Sequence, residues 1–329
     1  MKTSLSFCCC LLLFINCSIA QSDQPASIIF DSDMGPDYDD VGAITLLHAF
    51  ADEGKVNILA TIASTKYDNV AAVFNVFNTY FKKPNIPIAV PKGDALDLRD
   101  WQHWTDSIVA NYPHAINTNK DVTDAVALYR RILSIQPDKS VTIITVGFLT
   151  NLKNLLQSKP DMFSPLTGEQ LVKQKIKQLV SMAGKFPSGS EFNINRDFVA
   201  AKYVYDNWPT PVLFSGFEIG EKIKCGLPLI HNDAIKNDPV KDVFSISIPL
   251  AAEDSAGRKS WDETAVLAGV LDYNKWYTAQ QGKIIISDKD GSNTWIDDKT
   301  SNQFHLVEKT PPLVVQKLID SLIMHQPLK

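Results

Sequence analysis

The sequence is poor in cysteine where a disulfide framework would need it. Cys8, Cys9, Cys10 and Cys17 all fall within the first 17 residues, and only Cys225 lies beyond them. A chain with one cysteine in its body cannot staple itself and must rely on a large apolar core. Such a lone cysteine is usually a small buried hydrophobe, which is the expectation for Cys225. Concentrated positive charge is also missing: 32 Lys and Arg against 37 Asp and Glu give a net charge of −5, with no basic block. Binding a nucleic acid backbone needs such a block, so that class of partner is set aside. Beyond residue 20 no apolar run approaches the ~20 residues that a spanning helix requires, so no membrane span is expected. Repeats, low-complexity tracts and interdomain linkers are lacking too.

The first 20 residues read as a signal peptide. Lys2 supplies positive charge, residues 5–15 are apolar, and Ser18-Ile19-Ala20 is a small-x-small cleavage site. The expectation is export to a periplasm or to the outside of the cell, with residues 21–329 as one domain. Lipidation of Cys17 is the lesser alternative, because Phe14-Ile15-Asn16 is a poor lead-in to such a site.

Strand-like and helix-like segments then alternate. Short apolar runs at 27–30, 56–62, 86–90, 141–146, 179–183 and 211–215 are separated by segments with helical spacing at 39–51, 70–81, 122–135 and 197–207. Apolar runs of this length between helices indicate strands buried on both faces. The fold class is therefore α/β, with a mainly parallel central sheet flanked by helices. Near the end, residues 283–307 predict a β-hairpin turning at Asp288-Lys289-Asp290-Gly291, followed by a closing helix from about Pro311. Residues 94–120 are polar and aromatic with no period, as expected of a long functional loop.

The sharpest feature is Asp31-Ser32-Asp33-Met34-Gly35-Pro36-Asp37-Tyr38-Asp39-Asp40, five aspartates in ten residues where a buried strand gives way to a helix. Ligands of open α/β sheets bind beyond the carboxyl ends of strands. Helix capping by Asp39 or Asp40 accounts for one or two of these residues, not five. No Lys or Arg is close in sequence, so a divalent cation is the expected source of compensating charge. An all-oxygen donor set without Cys or His points to Ca²⁺ or Mg²⁺ rather than Zn²⁺, and the spacing is not that of an EF-hand.

This cluster resembles the D-x-D-x-G-x-D-D opening of the inosine-uridine-preferring nucleoside hydrolases, with two extra residues before the final pair. Later segments follow in the same order: Leu149-Thr150-Asn151, Met182-Ala183-Gly184, Glu191-Phe192-Asn193 with Asp197 and Ala200-Ala201, and Trp261-Asp262-Glu263-Thr264-Ala265. The resemblance implies a nucleoside hydrolase-like catalytic domain that acts on a ribonucleoside or related N-riboside. It implies a calcium ion held by Asp33, Asp40, the Thr150 carbonyl and Asp262, with Asp33 also the base for a water that the ion orients. It places Asp39, Glu191 and Asn193 on the sugar hydroxyls, and a homo-oligomer is common in the family. The implied reaction is direct displacement by water, as in inverting hydrolysis.

Two departures bear on the leaving group. Family members carry a histidine before the late aspartate, and here that place is Trp261, which can stack on a flat base but cannot protonate it. The family's ribose-binding asparagine after the second strand has no clear match, and Asn69 or Lys66 is the available substitute. His103 or His114, beside Trp101 and Trp104, is a candidate replacement acid, although most exposed loop histidines have no such role. The leading alternative is an exported, metal-dependent nucleoside- or sugar-binding protein with little turnover. A phosphohydrolase of the haloacid dehalogenase type also begins with strand-D-x-D, but leaves the later segments unexplained.

Overall fold

The computed structural model describes residues 24–328. The expected signal peptide and the alternative lipidation at Cys17 lie outside the described residues. The strands are β1 (Ala26–Ser32), β2 (Val56–Ala63), β3 (Ile88–Val90), β4 (Thr123–Asp124), β5 (Val141–Thr145), β6 (Ile176–Met182), β7 (Ser188–Gly189), β8 (Val212–Ser215), β9 (Lys224–Cys225), β10 (Arg258–Lys259), β11 (Tyr277–Ile286), β12 (Asn293–Ile296) and β13 (Gln303–Glu308). Among the described residues one sheet runs in the order β4-β3-β2-β1-β5-β6-β8-β13-β11-β12-β7, and β9 pairs with β10 apart from it. Neighbours from β4 through β13 are parallel. The last three pairings are antiparallel.

The apolar runs become the centre of the sheet because they are covered on both faces. In β1, Ile28 and Phe30 join one core layer, while Ile29 between them joins the other. Full burial of each such side chain stabilises by roughly 1.5–3 kcal/mol relative to exposure. The helix Asp39–Asp52 follows β1 and is buried from Asp39 to Phe50. It packs between the helices Trp261–Val270 and Pro312–Ile323. Gly42 allows the first of these approaches, since a Cβ there would meet the Glu263 carboxylate at 2.0 Å.

Several helices are not predicted from the sequence, among them Thr150–Gln157, Gly168–Lys175 and Pro239–Leu250. The segment 94–120 contains the helix Trp104–Asn111, which is too short for its period to stand out. Asp100 anchors its start by accepting the N–H and hydroxyl of Thr105 at 2.9 and 2.6 Å, and Trp104 is fully buried. The hairpin forms as β11 and β12, closed by Ser287 and Ser292, and the helix Pro312–Ile323 follows. The return strand β12 ends at Ile296, and the separate strand β13 pairs with the other edge of β11 and with β8, which joins the hairpin to the parallel sheet.

His48 lies wholly inside, stacked on Phe81 and bonded through Nε2 to the Asn78 carboxamide oxygen at 3.0 Å. Burial, with the Lys83 ammonium nearby, pushes its pKa down to about 3. Folding therefore excludes a proton that the unfolded chain binds below pH about 6.5. Stability is complete above that pH and falls as pH drops from 6.5 towards 3, by up to about 1.4 kcal/mol per pH unit. Thermal melts at pH 7.5 and 5.5 should show a smaller loss for His48→Gln than for the wild type. An equal loss would show that His48 does not govern this window.

Candidate active site

The site forms where the chain order reverses across the sheet. β1 has β2 on one side and β5 on the other, so the connections leave its carboxyl end in opposite directions. Crevices of this kind are where α/β sheets bind ligands. Asp33 follows β1, and Val146 and Gly147 follow β5. Gly147 has no room for a side chain, because a Cβ would lie 2.4 Å from both the Asp33 nitrogen and the Ser64 hydroxyl.

Local bonds set the acidic loop. The Ser32 hydroxyl donates to Asp40 at 2.5 Å and accepts the Met34 N–H at 3.0 Å, which ties the strand end to the helix start. The Tyr67 hydroxyl donates to the Met34 carbonyl at 2.7 Å, and its ring lies so close to Gly35 that a Cβ would clash at 2.7 Å. Asp31 turns away from the loop and accepts from Tyr129 at 2.7 Å and Asn151 at 3.1 Å. It joins β1 to two helices and does not line the pocket.

The pocket has a volume of about 120 Å³ and is lined by Asp33, Asp37, Asp39, Asp40, Val146, Met182, Glu191, Phe192, Asn193, Phe217, Trp261 and Asp262. Carboxylate oxygens of Asp39, Asp40 and Asp262 lie within 4.8 Å of one another. Asp33 lines the same pocket but stands outside this close trio. Burial holds the pKa values of Asp33, Asp40 and Asp262 well above the carboxylate range, and their mutual charge adds to the effect. Buried, oxygen-only and clustered, the donor set fits a hard divalent cation.

Part of the compensating charge comes from the protein itself, contrary to the expectation that a cation alone supplies it. Arg258, from β10, is buried and reaches Asp39 at 2.7 Å, Asp37 at 2.8 Å and Asp254 at 3.4 Å. Its guanidinium lies over Tyr38 and Trp261, and Tyr38 donates to Asp254 at 2.6 Å. Nothing in the sequence brings Arg258 to Asp39, since 219 residues separate them. Arg258 takes Asp39 Oδ1, and the other oxygen accepts the Asp262 N–H at 3.4 Å. Asp39 thus bridges the early and late segments as well as facing the pocket.

Glu191 and Asn193 reach the pocket as expected, but both are heavily engaged. The Glu191 carboxylate accepts N–H groups of Asn193, Ile194 and Gly184 at 2.6–3.1 Å. Burial raises its pKa to about 6 against those bonds. The Asn193 amide donates to the carbonyls of Val146 at 3.0 Å and Met182 at 3.2 Å. Trp261 also lines the pocket and donates its indole N–H to the Phe217 carbonyl at 2.8 Å.

Two expected residues are not brought in. Thr150 opens the helix Thr150–Gln157 and bonds through its hydroxyl to Asp197 at 2.8 Å, in a separate depression with Asp94 and Lys153. Four residues separate β5 from that helix, so the backbone at the pocket wall is Val146 rather than Thr150. Asn69 is exposed in a left-handed turn (φ 71°) before the helix Val70–Tyr80, while Tyr67 takes the inward position. His103 is 68% exposed beside Asp106, and His114 bonds to the Tyr112 carbonyl. Neither histidine lines the pocket. Trp101 comes nearer, edge-on to Phe192 with centroids 6.4 Å apart.

Residues 28–302 match the inosine-uridine preferring nucleoside hydrolases. The chain belongs to this family. A pyrimidine-specific ribonucleoside hydrolase, RihA, of Shewanella sp. (strain ANA-3) is 27% identical over 235 residues, 68% of this chain and 66% of the relative. The chain thus spans just under two thirds of the length of that relative. Among solved structures, a plant nucleoside hydrolase superposes with a TM-score of 0.69 at 17% identity, covering 91% of this chain and 99% of that one. A purine-preferring ribonucleoside hydrolase from Gardnerella vaginalis gives 0.69 at 15%, with 91% and 99% covered. These two likenesses concern the fold, which is that of the family.

Arg258→Met tests how charge is shared at the site. Removing one partner of a buried ion pair costs about 3–5 kcal/mol. The variant should melt well below the wild type in a chelator and recover more than the wild type when calcium is added. Equal calcium shifts in the two proteins would show that Arg258 and a cation do not balance the same carboxylates.

Proposed function

We propose that this protein hydrolyses the N-glycosidic bond of a ribonucleoside or related N-riboside with the help of a bound calcium ion, and that it acts after export. The observation that carries this reading is the meeting, in one pocket, of segments from four distant parts of the chain: Asp33 to Asp40, Val146, Glu191 to Asn193, and Trp261-Asp262. Asp39, Asp40 and Asp262 lie close enough together to hold the ion, and Asp33, from the same pocket, would complete the set. Calcium would neutralise the carboxylates and draw a water and the sugar diol into position.

The chain's own groups supply the rest. Asp33 sits at the strand end and lines the pocket beside the carboxylates that would hold the ion, so it is placed to take the proton of the attacking water. The buried carboxylates favour the positive charge that develops on the sugar ring, an interaction stronger in the transition state than in the ground state. Glu191 and Asn193, held by three backbone N–H groups and two carbonyls, offer their remaining oxygen capacity to hydroxyls without having to reorganise. Phe192, Phe217 and Trp261 give the aglycone flat apolar surface and keep out bulk water.

Trp261 favours one second reading. Its N–H is committed to Phe217, and no histidine is among the described residues that line the pocket. A nucleoside-binding protein with little turnover needs no acid there. Hydrolysis of natural nucleosides and of p-nitrophenyl riboside, with and without chelator and beside Asp33→Ala, separates the two. The expected result is chelator-sensitive cleavage, reduced by about 10²-fold or more in Asp33→Ala. Calcium-dependent nucleoside binding without any cleavage would establish the binding protein instead.

A further inference from the structure

Two ammonium groups lie beside the aromatic residues that line the otherwise acidic pocket. Phe217 and Trp261 lean on one another with centroids 5.1 Å apart at 34°. The Lys185 ammonium lies 4.7 Å from the Phe217 centroid, and the Lys259 ammonium lies 5.3 Å from the Trp261 centroid. Both lysines are half-buried, and among the described residues neither has a carboxylate partner within 4.0 Å. Glu218, on the same side, accepts the Phe186 N–H at 3.0 Å and is also within reach of the Lys185 charge.

Both positions are built in. Buried Asn293 clamps the Lys185 backbone by accepting its N–H and donating to its carbonyl, each at 2.9 Å. Lys259 is fixed by the pairing of β10 with β9, and the next residue, Ser260, bonds to Ile223 at 2.9 Å. The backbones of both lysines are thus anchored so that their ammonium groups reach the aromatic pair of a pocket that aspartates also line.

The geometry points to Lys185 and Lys259 as specificity-determining residues that select an aglycone departing as an anion. This inference rests on the hydrolytic reading above. In the reaction the water oxygen bonds to C1′ and one water proton passes to the Asp33 carboxylate. The C1′–N bond breaks with its electron pair going to the aglycone nitrogen. No indole proton is available, so the aglycone leaves negatively charged and later takes a proton from solvent. The charge separation, positive on the sugar and negative on the aglycone, runs in the same direction as the charges of the pocket. The favoured class is ribosides of flat, oxygen-rich heterocycles with an acidic ring N–H. Pyridinium ribosides, which enter positively charged and leave neutral, are disfavoured.

The test compares uridine, p-nitrophenyl riboside and nicotinamide riboside on the wild type, Lys185→Gln/Lys259→Gln and Lys185→Arg/Lys259→Arg. The first two substrates release anions and the third releases a neutral base. The Gln variant should lose about tenfold in kcat/KM on uridine and p-nitrophenyl riboside while nicotinamide riboside is unchanged or faster. The Arg variant should keep the wild-type order. A parallel fall on all three substrates, or no change on any, would overturn the inference. If the wild type cleaves none of them, the hydrolytic reading fails, and binding of p-nitrophenolate against nicotinamide by calorimetry then tests the lysines alone. A preference for the phenolate that disappears in the Gln variant would uphold their selectivity, and no preference would end it.

Discussion

The structure is organised around the cost of burying several carboxylates in one place. Asp33, Asp39, Asp40 and Asp262 are each no more than 5% exposed. Such a group is tolerable only with hydrogen bonds and opposite charge close by. Ser32 serves Asp40, the Asp262 N–H serves Asp39, and Arg258 binds Asp39 together with Asp37 and Asp254. The remaining negative charge is the physical reason that a hard cation fits here. The backbone around the site reflects the same demand, with Gly147 and Gly35 allowing approaches that a Cβ would block.

The parallel sheet puts this expensive cluster at its own switch point. Strand ends from both halves of the sheet converge there, so residues far apart in sequence need only short loops to meet. The helix Asp39–Asp52 is buried along most of its length, which makes the acidic loop a rigid entry to the core rather than a free turn. Rigidity of this kind keeps charged groups from relaxing towards water, and it is what lets them act on a developing charge.

Both signs of charge meet at the pocket. Carboxylates line it, Arg258 binds Asp39, and Lys185 and Lys259 lie beside the aromatic pair. Trp261 occupies a place where the family resemblance expects a histidine, and its indole is fixed to Phe217. The acidic part of the pocket thus keeps the family's sequence pattern, while the part around Trp261 departs from it.

Local order was legible in the sequence. Apolar runs of strand length between helical periods specified the α/β class and the mainly parallel sheet, because a strand covered on both faces must be apolar throughout. The Asp288–Gly291 turn marked the hairpin, and the aspartate run marked the site, because clustered carboxylates at a strand end have no ordinary structural use. Tertiary structure decided what depends on contacts between distant residues. Arg258 reaches Asp39 only because tertiary packing brings β10 to the start of the helix Asp39–Asp52, and no local pattern records that. Asn69 and Thr150 had suitable chemistry, but a left-handed turn and a helix start carry them away from the pocket, where Val146 lines the wall and Tyr67 packs inward against Gly35. Residue type announces what a side chain can do, but backbone direction decides whether it arrives, and that direction is set by packing across the whole sheet.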